Sequence, residues 1–574
     1  MRSPMGVICD AESGEPNEAT GTAARRSTSA LRPCFVILLV WATATAINLY
    51  KPVHLDDTAY LETAHAFLKS PLHPLSQTLN WADSAEPIHH LNQPPLWSVV
   101  MAVVMLVFGD SEIALHLTMS LFVGLALLLF HRLARIVAGE RALSLTVLFG
   151  IGPALLPSQN LMTDVPMLAL WLGFFLCLMR AEGPGAKTAW LYPLAALLAT
   201  AACLTKYTSL PLPVIFVGML IWRRRWRMLW LVLIPVAGLA AWSVLNYLDY
   251  GTVHLLARPE GIQTKGIGYK TGSVLVRCLL WVIALGSVSP FVAIALGARW
   301  RRGHSKRLWI GLAVLAVATV AFGQLFIKGE GPLDSILRAV FLAAGVTLLT
   351  EIVRRRDHDR ASQLTHDDRD QRLLLGLWLL GAASFVIVFS PFMAVRHILP
   401  ALPAVLLLLA RQLRELPRIP ALRTSLVLSA VLGISIAASD WAYANAFRST
   451  VKTLQSNVHA KSDVWVLGHW GLQWYAGRAG FREYDRGRSV IEPGDLVYSP
   501  AFVHAQHLSN SDASRLCDKA LFEIPATPLT WIRTMGEGAG YYYFWWALPW
   551  KLSREPLVRW RILEMPVSAH ELRD

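Results

Sequence analysis

The chain has 574 residues, of which 54% are hydrophobic and 16% are charged, and its mean hydropathy is +0.43. Apolar runs of about 17 to 25 residues recur along it, which excludes a soluble protein and predicts a polytopic helical membrane protein. The formal net charge of +14 is concentrated in short loops between apolar runs, such as RRRWR at 223–227. The positive-inside rule expects this of cytoplasmic loops, so we expect no nucleic-acid partner.

The N-terminal region contains a tail and a first membrane-length run. Residues 1–30 have few large apolar side chains and are predicted to form a disordered cytoplasmic tail. The run at 34–50 follows several arginines and is predicted to be an uncleaved membrane anchor rather than a cleaved signal. The six cysteines form no close-spaced pair, so neither a disulfide framework nor a zinc site is indicated.

Thirteen further apolar segments follow the anchor, at 95–108, 112–131, 143–162, 165–180, 189–205, 207–222, 228–247, 274–297, 308–327, 335–353, 373–391, 397–411 and 423–443. The first of these would be a helix of about 21 Å, shorter than the roughly 30 Å hydrocarbon core, so we expect it to lie at the interface or to re-enter. Six loops then become cytoplasmic and hold 24 Lys and Arg residues, against eight in the outer loops. We therefore predict an all-α protein of about 13 transmembrane helices in a plasma (inner) membrane, with its N-terminus inside.

This topology divides the chain into a tail at 1–30, a transmembrane domain at 31–443 and an extracytoplasmic domain at 444–574. The first outer loop, 51–111, is expected to contain interfacial helices. The strand-like stretches DVWVLG and DLVYS and the helix-like GLQWYAGRAG predict a small α/β fold for the C-terminal domain. The run YYYFWWALPW at 541–550 is interpreted as core or as an aromatic face on the membrane surface, with a sugar-stacking platform as the alternative.

Several charged residues are predicted to meet at the outer margin of the membrane: Asp56, Asp57, Asp164, Lys206 and Arg396. Two adjacent carboxylates repel, which raises the pKa of one of them and suits a general base. Each residue also has a structural alternative. The acids could begin helices, the lysine could extend to the interface, and the arginine could be an isolated anchor.

The stretch HHLNQPPLWS at 89–98 precedes the short apolar segment. Its prolines Pro94 and Pro95 fix an extended entry and place Gln93 near the membrane surface. His89 and His90 are candidate metal ligands, but no second ligand motif accompanies them. We therefore expect no required cofactor, although a divalent metal remains an alternative.

Five motifs occur in order: LDDTAYLETA, NQPPLW, MTDVPM, LTKYTSL and RHILPALPA. With this order, spacing and topology, residues 31–443 resemble the GT-C glycosyltransferases that use polyprenyl-phosphate sugars. The resemblance is to the bacterial relatives of protein O-mannosyltransferases and of the lipid A aminoarabinose transferase, of the family 39 and 83 type.

The resemblance implies a role for each candidate residue. Asp56 would be the general base on the acceptor, Asp57 would assist or orient it, and Asp164 would support it or bind acceptor or sugar. Donor binding would fall to Lys206, Arg396, Gln93, Tyr60 and His397. Relatives commonly have Lys at the position of Gln93 and Tyr at that of His397, so Arg258, Lys265 or Lys270 of the outer loop could supply a missing charge.

The implied activity is inverting transfer of a sugar from a polyprenyl-phosphate donor to an acceptor lipid, glycan or protein in the cell envelope. The nearest rival is a lipid-linked oligosaccharide ligase or polymerase. A polyprenyl-lipid transporter is less favoured, because the sequence shows no internal repeat and its acids cluster at one edge of the membrane.

Overall fold

The computed structural model of the protein describes residues 18–91, 93–182, 188–256, 267–297, 306–327, 329–360, 366–390, 392–414, 420–457, 463–501, 506–536, 538–543 and 547–566. The first half of the chain contains α1 Glu18–Asn48, α2 Asp57–Lys69, α3 Leu96–Phe108, α4 Glu112–Ala138, α5 Ala142–Gly150, α6 Asp164–Arg180, α7 Leu191–Thr205, α8 Pro211–Trp222, α9 Leu233–Tyr250 and α10 Ile267–Val288. The second half contains α11 Pro290–Gly297, α12 Lys306–Phe326, α13 Pro332–Arg360, α14 His366–Phe389, α15 Leu402–Leu408, α16 Ala410–Arg414, α17 Pro420–Asn457, α18 Gly471–Arg478 and α19 Asn510–Arg515.

The strands are short and lie mostly in the C-terminal region. They are β1 Thr78–Asn80, β2 Ala85–Pro87, β3 Val464–Val466, β4 Arg482–Glu483, β5 Leu496–Pro500, β6 Cys517–Ile524, β7 Ile532–Arg533, β8 Met535–Gly536, β9 Ala539–Gly540, β10 Lys551–Leu552 and β11 Val558–Glu564.

The chain is a multi-pass membrane protein. Six helical segments in the described ranges are long and apolar enough to cross a bilayer: Glu112–Gly150, Trp226–Tyr250, Arg307–Phe326, Pro332–Arg354, Asp367–Phe389 and Ala421–Gln455. A bent pair, Val274–Val288 with Pro290–Gly297, would make a seventh. Leu117, Leu121 and Leu125 of α4 are exposed at helical spacing, which suits a face covered by lipid. The predicted count of 13 is not confirmed.

Three predicted spans are interrupted in the structure. The span expected at 143–162 is helical only to Gly150, after which Pro153 and Pro157 lie in an irregular segment. The span expected at 274–297 bends by 86° where Pro290 begins α11. The segment 397–411 is likewise divided into short helices.

The first helix also differs from expectation, because it begins at Glu18, within the tail predicted to be disordered at 1–30. Extending an existing helix avoids the cost of nucleation, so the Ala-rich stretch before 31 continues the turn of the anchor. The earlier residues of the predicted tail lie outside the described ranges.

The segment Glu112–Gly150 is not one straight helix, because α4 and α5 within it form a hairpin that returns the chain to the end of the bundle where α1 ends. His131 and Thr146 share a hydrogen bond of 3.1 Å across this hairpin. The irregular segment after α5 then runs to Asp164 at the start of α6. This path places Asp164 at the same end as the residues that follow α1.

The C-terminal region is built on a five-stranded sheet of order β4-β3-β5-β11-β6. Strand β3 is parallel to β4 and β5, whereas β11 is antiparallel to β5 and β6. The predicted strands in DVWVLG and DLVYS and the helix in GLQWYAGRAG are therefore confirmed, as is the α/β class. Helix α17 continues to Asn457, past the boundary expected at 443, and leads directly toward this sheet.

Candidate active site

A turn between α1 and α2 presents Asp56. Leu55 has φ of 52°, a left-handed conformation that is uncommon for leucine. Asp56 precedes α2, yet its side chain makes no capping hydrogen bond, as the helix-start alternative would require. Instead the Nη2 of Arg396 donates to Asp56 Oδ2 at 2.7 Å. The side chain of Asp56 is 35% exposed, whereas that of Arg396 is 7% exposed.

Asp164 and Lys206 form a second ion pair beside the first. Lys206 Nζ donates to Asp164 Oδ1 at 2.7 Å, and both side chains are buried. Arg396 Nε lies 3.9 Å from the other carboxylate oxygen of Asp164. Lys206 therefore points inward from the end of α7 and does not extend to the interface as its structural alternative supposed.

These four residues, Asp56, Asp164, Lys206 and Arg396, form one Asp–Arg–Lys cluster. Asp56 and Arg396 are 340 positions apart in sequence, so only the tertiary fold brings them together. Arg396 still has donor capacity, because one Nη1 hydrogen bond goes to the weak acceptor Met162 Sδ and Nε has no hydrogen-bond partner among the described residues. The cluster is thus able to accept an additional anion.

Asp57 faces away from the Asp–Arg–Lys cluster. Its Oδ2 accepts a hydrogen bond of 3.0 Å from the backbone N–H of His54, and its Oδ1 has no partner among the described residues. Burial raises the pKa of Asp57 well above its ordinary value. The two adjacent acids therefore differ in environment, with a half-exposed, ion-paired Asp56 and a buried carboxyl at Asp57 that favours the neutral form.

Two of the predicted donor-binding residues, Tyr60 and His397, are buried next to residues of the cluster. Tyr60 is buried and its hydroxyl lies 3.3 Å from Thr163 Oγ1, next to Asp164. Burial raises the pKa of Tyr60, which keeps the phenol protonated. His397 follows Arg396 and is buried against Phe392, with 5.3 Å between ring centroids.

Gln93 is half-buried in the approach to α3 and has no hydrogen bond to another described side chain or backbone group. The helix itself is held close by Trp97, whose Nε1 donates to Leu161 O at 2.7 Å. Gln93 therefore lies just before a helix that packs beside the segment leading to Asp164. Arg258 and Lys265 lie outside the described ranges, as does the side chain of Lys270.

A buried network next to the cluster was not predicted. Asp440 of α17 accepts from Lys51 at 2.5 Å and from the hydroxyl of Tyr542 at 2.6 Å, and His54 Nε2 lies 3.3 Å away. Lys51 also donates to Asn160 and to Pro157 O. The sequence signal was a charge, Asp440, inside an apolar run, which requires a partner.

The aromatic run at 541–550 contributes to this region. Tyr541 and Tyr542 are buried, and Tyr541 O accepts from the backbone N–H of Val395 at 2.8 Å. The guanidinium of Arg396 lies 5.9 Å from the ring centroid of Tyr542. These two tyrosines are core residues, as one interpretation of the run predicted, and they hold the segment that carries Arg396. Residues 544–546 lie outside the described ranges.

No group of three or more His, Cys, Asp or Glu side chains with metal-binding geometry is present in the described parts of the chain. His90 instead contacts Glu86 at 2.9 Å, and His89 stacks on Tyr250 with centroids 4.2 Å apart. Metal dependence stays untested.

Part of the chain matches a known protein family. Residues 92–247 match the family described as dolichyl-phosphate-mannose-protein mannosyltransferase. This range runs from the approach to α3 into α9 and includes Asp164 and Lys206, whereas Asp56 and Arg396 lie outside it. The chain is similar to GT-C glycosyltransferases. The resemblance predicted from the five motifs is thereby confirmed over this range.

Among solved structures, ArnT from Cupriavidus metallidurans bound to undecaprenyl phosphate is 14% identical, with a TM-score of 0.42, and the alignment covers 96% of this chain and 99% of ArnT. The Archaeoglobus fulgidus oligosaccharyltransferase tethered to an acceptor peptide is 14% identical, with a TM-score of 0.43 and coverage of 78% and 63%. The mycobacterial arabinofuranosyltransferase AftD is 12% identical, with a TM-score of 0.35 and coverage of 93% and 40%. No curated protein matches the chain.

Proposed function

We propose that the protein is an inverting glycosyltransferase that moves a sugar from a polyprenyl-phosphate donor to an acceptor hydroxyl at the outer face of the membrane. The observation that carries this proposal is the Asp–Arg–Lys cluster. Two carboxylates and two cations from four separate segments meet within hydrogen-bond distance, and one carboxylate is accessible. The match to a mannosyltransferase family over residues 92–247 supports the same class of reaction.

The donor phosphate would bind at Arg396 and Lys206. In the structure each of these cations is paired with a carboxylate, so an entering phosphate competes for the same donors and loosens both pairs. Arginine suits a phosphate because its planar group donates two parallel hydrogen bonds. Loosening the pair with Arg396 frees Asp56 Oδ2 to accept the proton of the acceptor hydroxyl.

The reaction follows from this arrangement. The acceptor oxygen attacks the anomeric carbon from the face opposite the phosphate, and the bond between that carbon and the phosphate oxygen breaks. The acceptor proton passes to Asp56, which is worth about 10²- to 10⁴-fold in rate. The departing polyprenyl phosphate carries the electron pair of the broken bond, and its charge is stabilised by Arg396 and Lys206. Before the donor binds, Asp164 holds Lys206 at the cluster.

The test is transfer of a labelled sugar from a polyprenyl-phosphate donor by membranes containing the native chain or one variant. Asp56→Asn and Asp164→Asn are expected to lose transfer. Glu62→Gln is the matched control. Glu62 lies on α2, which begins directly after Asp56, but it pairs with His65 outside the cluster. Full activity in both aspartate variants would contradict the assignment.

A further inference from the structure

A cavity lies between the membrane helices and the C-terminal region, and it shares no lining residue with the Asp–Arg–Lys cluster. Its volume is about 490 Å³, within the range of small-molecule sites. One wall is the turn between α12 and α13, around Glu330. The opposite wall comes from the C-terminal segments that contain Arg533 and Lys551.

Four cationic side chains line this cavity, and three of them have carboxylate partners. Arg338 pairs with Glu330 at 2.6 Å, and Lys551 pairs with Asp334 at 3.2 Å. Arg559 pairs with Glu523 at 2.9 Å and with Glu555 at 2.8 Å. These ion pairs neutralise three of the four cations, and Arg533 is the fourth.

Arg533 is 4% exposed, yet its charge is poorly compensated. One Nη2 hydrogen bond goes to the backbone carbonyl of Glu555, and Nε has no partner among the described residues. A guanidinium stays protonated in proteins, and the Glu555 carboxylate attracts that of Arg533 without a hydrogen bond between them in the described structure, so a desolvation cost remains. An anion in the cavity would remove this cost and occupy the free Nε–H.

The backbone of the cavity wall also leaves room for a ligand. Gly536 and Gly538 have φ of 126° and 73°, conformations that other residues rarely adopt, and both line the cavity. Neither glycine adds a side chain to the cavity. The combination of an open cavity and an unsatisfied buried cation is characteristic of a built anion site.

We propose that this cavity binds a phosphate or carboxylate group carried by a ligand of about monosaccharide size, with Arg533 as its main contact and Lys551 at the rim. The anionic group has two sources with the same chemistry, a free small molecule or the head group of a membrane lipid. The site is separate from the proposed transferase reaction and does not depend on it.

The experiment measures the thermal unfolding midpoint of the full chain with glucose 6-phosphate, with inorganic phosphate and with neutral glucose. We expect the two anions, but not glucose, to raise the midpoint saturably by linkage to the folded state. Arg533→Gln should abolish this rise. Arg561→Gln, an exposed arginine that pairs with Asp518 outside the cavity, should keep it. An anion response that survives in the Arg533→Gln variant overturns the proposal.

The midpoint without ligand separates a binding role from a structural one. If Arg533 exists to hold an anion, Arg533→Gln should unfold at the same temperature as the native chain or higher, because an uncompensated buried charge is removed. A lower midpoint together with an unchanged anion response overturns the proposal. If this variant does not fold, Arg533→Lys is used in its place. At least a tenfold higher concentration of glucose 6-phosphate needed for half of the midpoint rise supports the site, and an unchanged concentration overturns it.

Measurements in lipid nanodiscs distinguish the two sources of the anion, a lipid head group and a free small molecule. If the native chain unfolds at a higher temperature in phosphatidylglycerol discs than in phosphatidylcholine discs, and Arg533→Gln removes this difference, the anion is a lipid head group. An Arg533-dependent response to glucose 6-phosphate in phosphatidylcholine discs assigns it to a free ligand. The absence of both overturns the proposal, and neither readout requires transferase activity.

Discussion

Asp56 and Asp57 are neighbours in sequence, but the turn at Leu55 points them into different environments. Asp56 reaches Arg396 and retains access to solvent, as a residue that receives a proton from an acceptor must. Asp57 is buried and accepts the backbone N–H of His54, which fixes the turn from inside. The sequence predicted the pair of acids but not this division, because it depends on the backbone conformation of the preceding residue, Leu55.

The division predicts different effects of two similar substitutions. Asp56→Asn should reduce transfer about 10²- to 10⁴-fold, because the proton acceptor is lost. Asp57→Asn keeps the oxygen that accepts from His54 and adds no charge, so transfer should stay within about threefold of native. Single-turnover rates with a labelled donor measure both. Equal losses in the two variants would contradict the assignment of separate roles.

Asp57 also predicts a pH dependence of stability. Its pKa is raised in the folded chain, so between its ordinary pKa of 3.8 and the raised value the folded state binds more protons than the unfolded state. Stability from this group is therefore present at low pH and is lost as pH rises through that window. Asp57→Asn removes this titration. The unfolding midpoint of the variant minus that of the native chain should therefore increase as pH rises. A constant difference between the two across pH 4 to 8 would show that Asp57 ionises normally.

At the scale of elements, apolar periodicity predicted the long helices well and the broken ones poorly. The runs at 112–131 and 335–353 appear within α4 and α13, whereas the run at 143–162 is helical only to Gly150. Composition does not separate an apolar helix from an apolar irregular segment when proline divides it. The irregular segment nevertheless has a use, since its carbonyl at Pro157 accepts from Lys51 and its end presents Asp164.

The pair between the start of α6 and the end of α7 predicts coupled effects. Lys206→Met leaves Asp164 buried with only the more distant Arg396, and should lower the free energy of unfolding by about 3–5 kcal/mol. Adding Asp164→Asn should recover part of that loss, because the unpaired charge is removed, while transfer stays absent in all three variants. Thermal unfolding in a double-mutant cycle measures the coupling. Additive losses would mean that the two residues do not interact in the folded protein.

At the scale of the whole molecule, the C-terminal region is fastened to the helices beside the active site. Tyr542 and Lys51 share Asp440, and Thr58 donates to Trp470 O at 2.8 Å. Any side chain at Gly471 would contact Val53 O, since a Cβ there would lie 2.3 Å from it. Lys51 and Asp440 are 389 positions apart and Thr58 and Trp470 are 412 apart, so no local pattern in the sequence encodes these contacts. They also require the C-terminal region to lie on the same side of the membrane as Asp56.

That requirement gives a prediction about topology, for which Cys517 is a natural probe. It is exposed on β6 of the C-terminal region. If the active site faces outward, a membrane-impermeant maleimide added to right-side-out vesicles should label the native chain and not Cys517→Ser. In the Cys517→Ser background, Glu140→Cys at the opposite end of the α4–α5 hairpin should label only after permeabilisation. Labelling of Cys517 that requires permeabilisation, with Glu140→Cys labelled in sealed vesicles, would place the Asp–Arg–Lys cluster on the cytoplasmic side and reverse the proposed orientation.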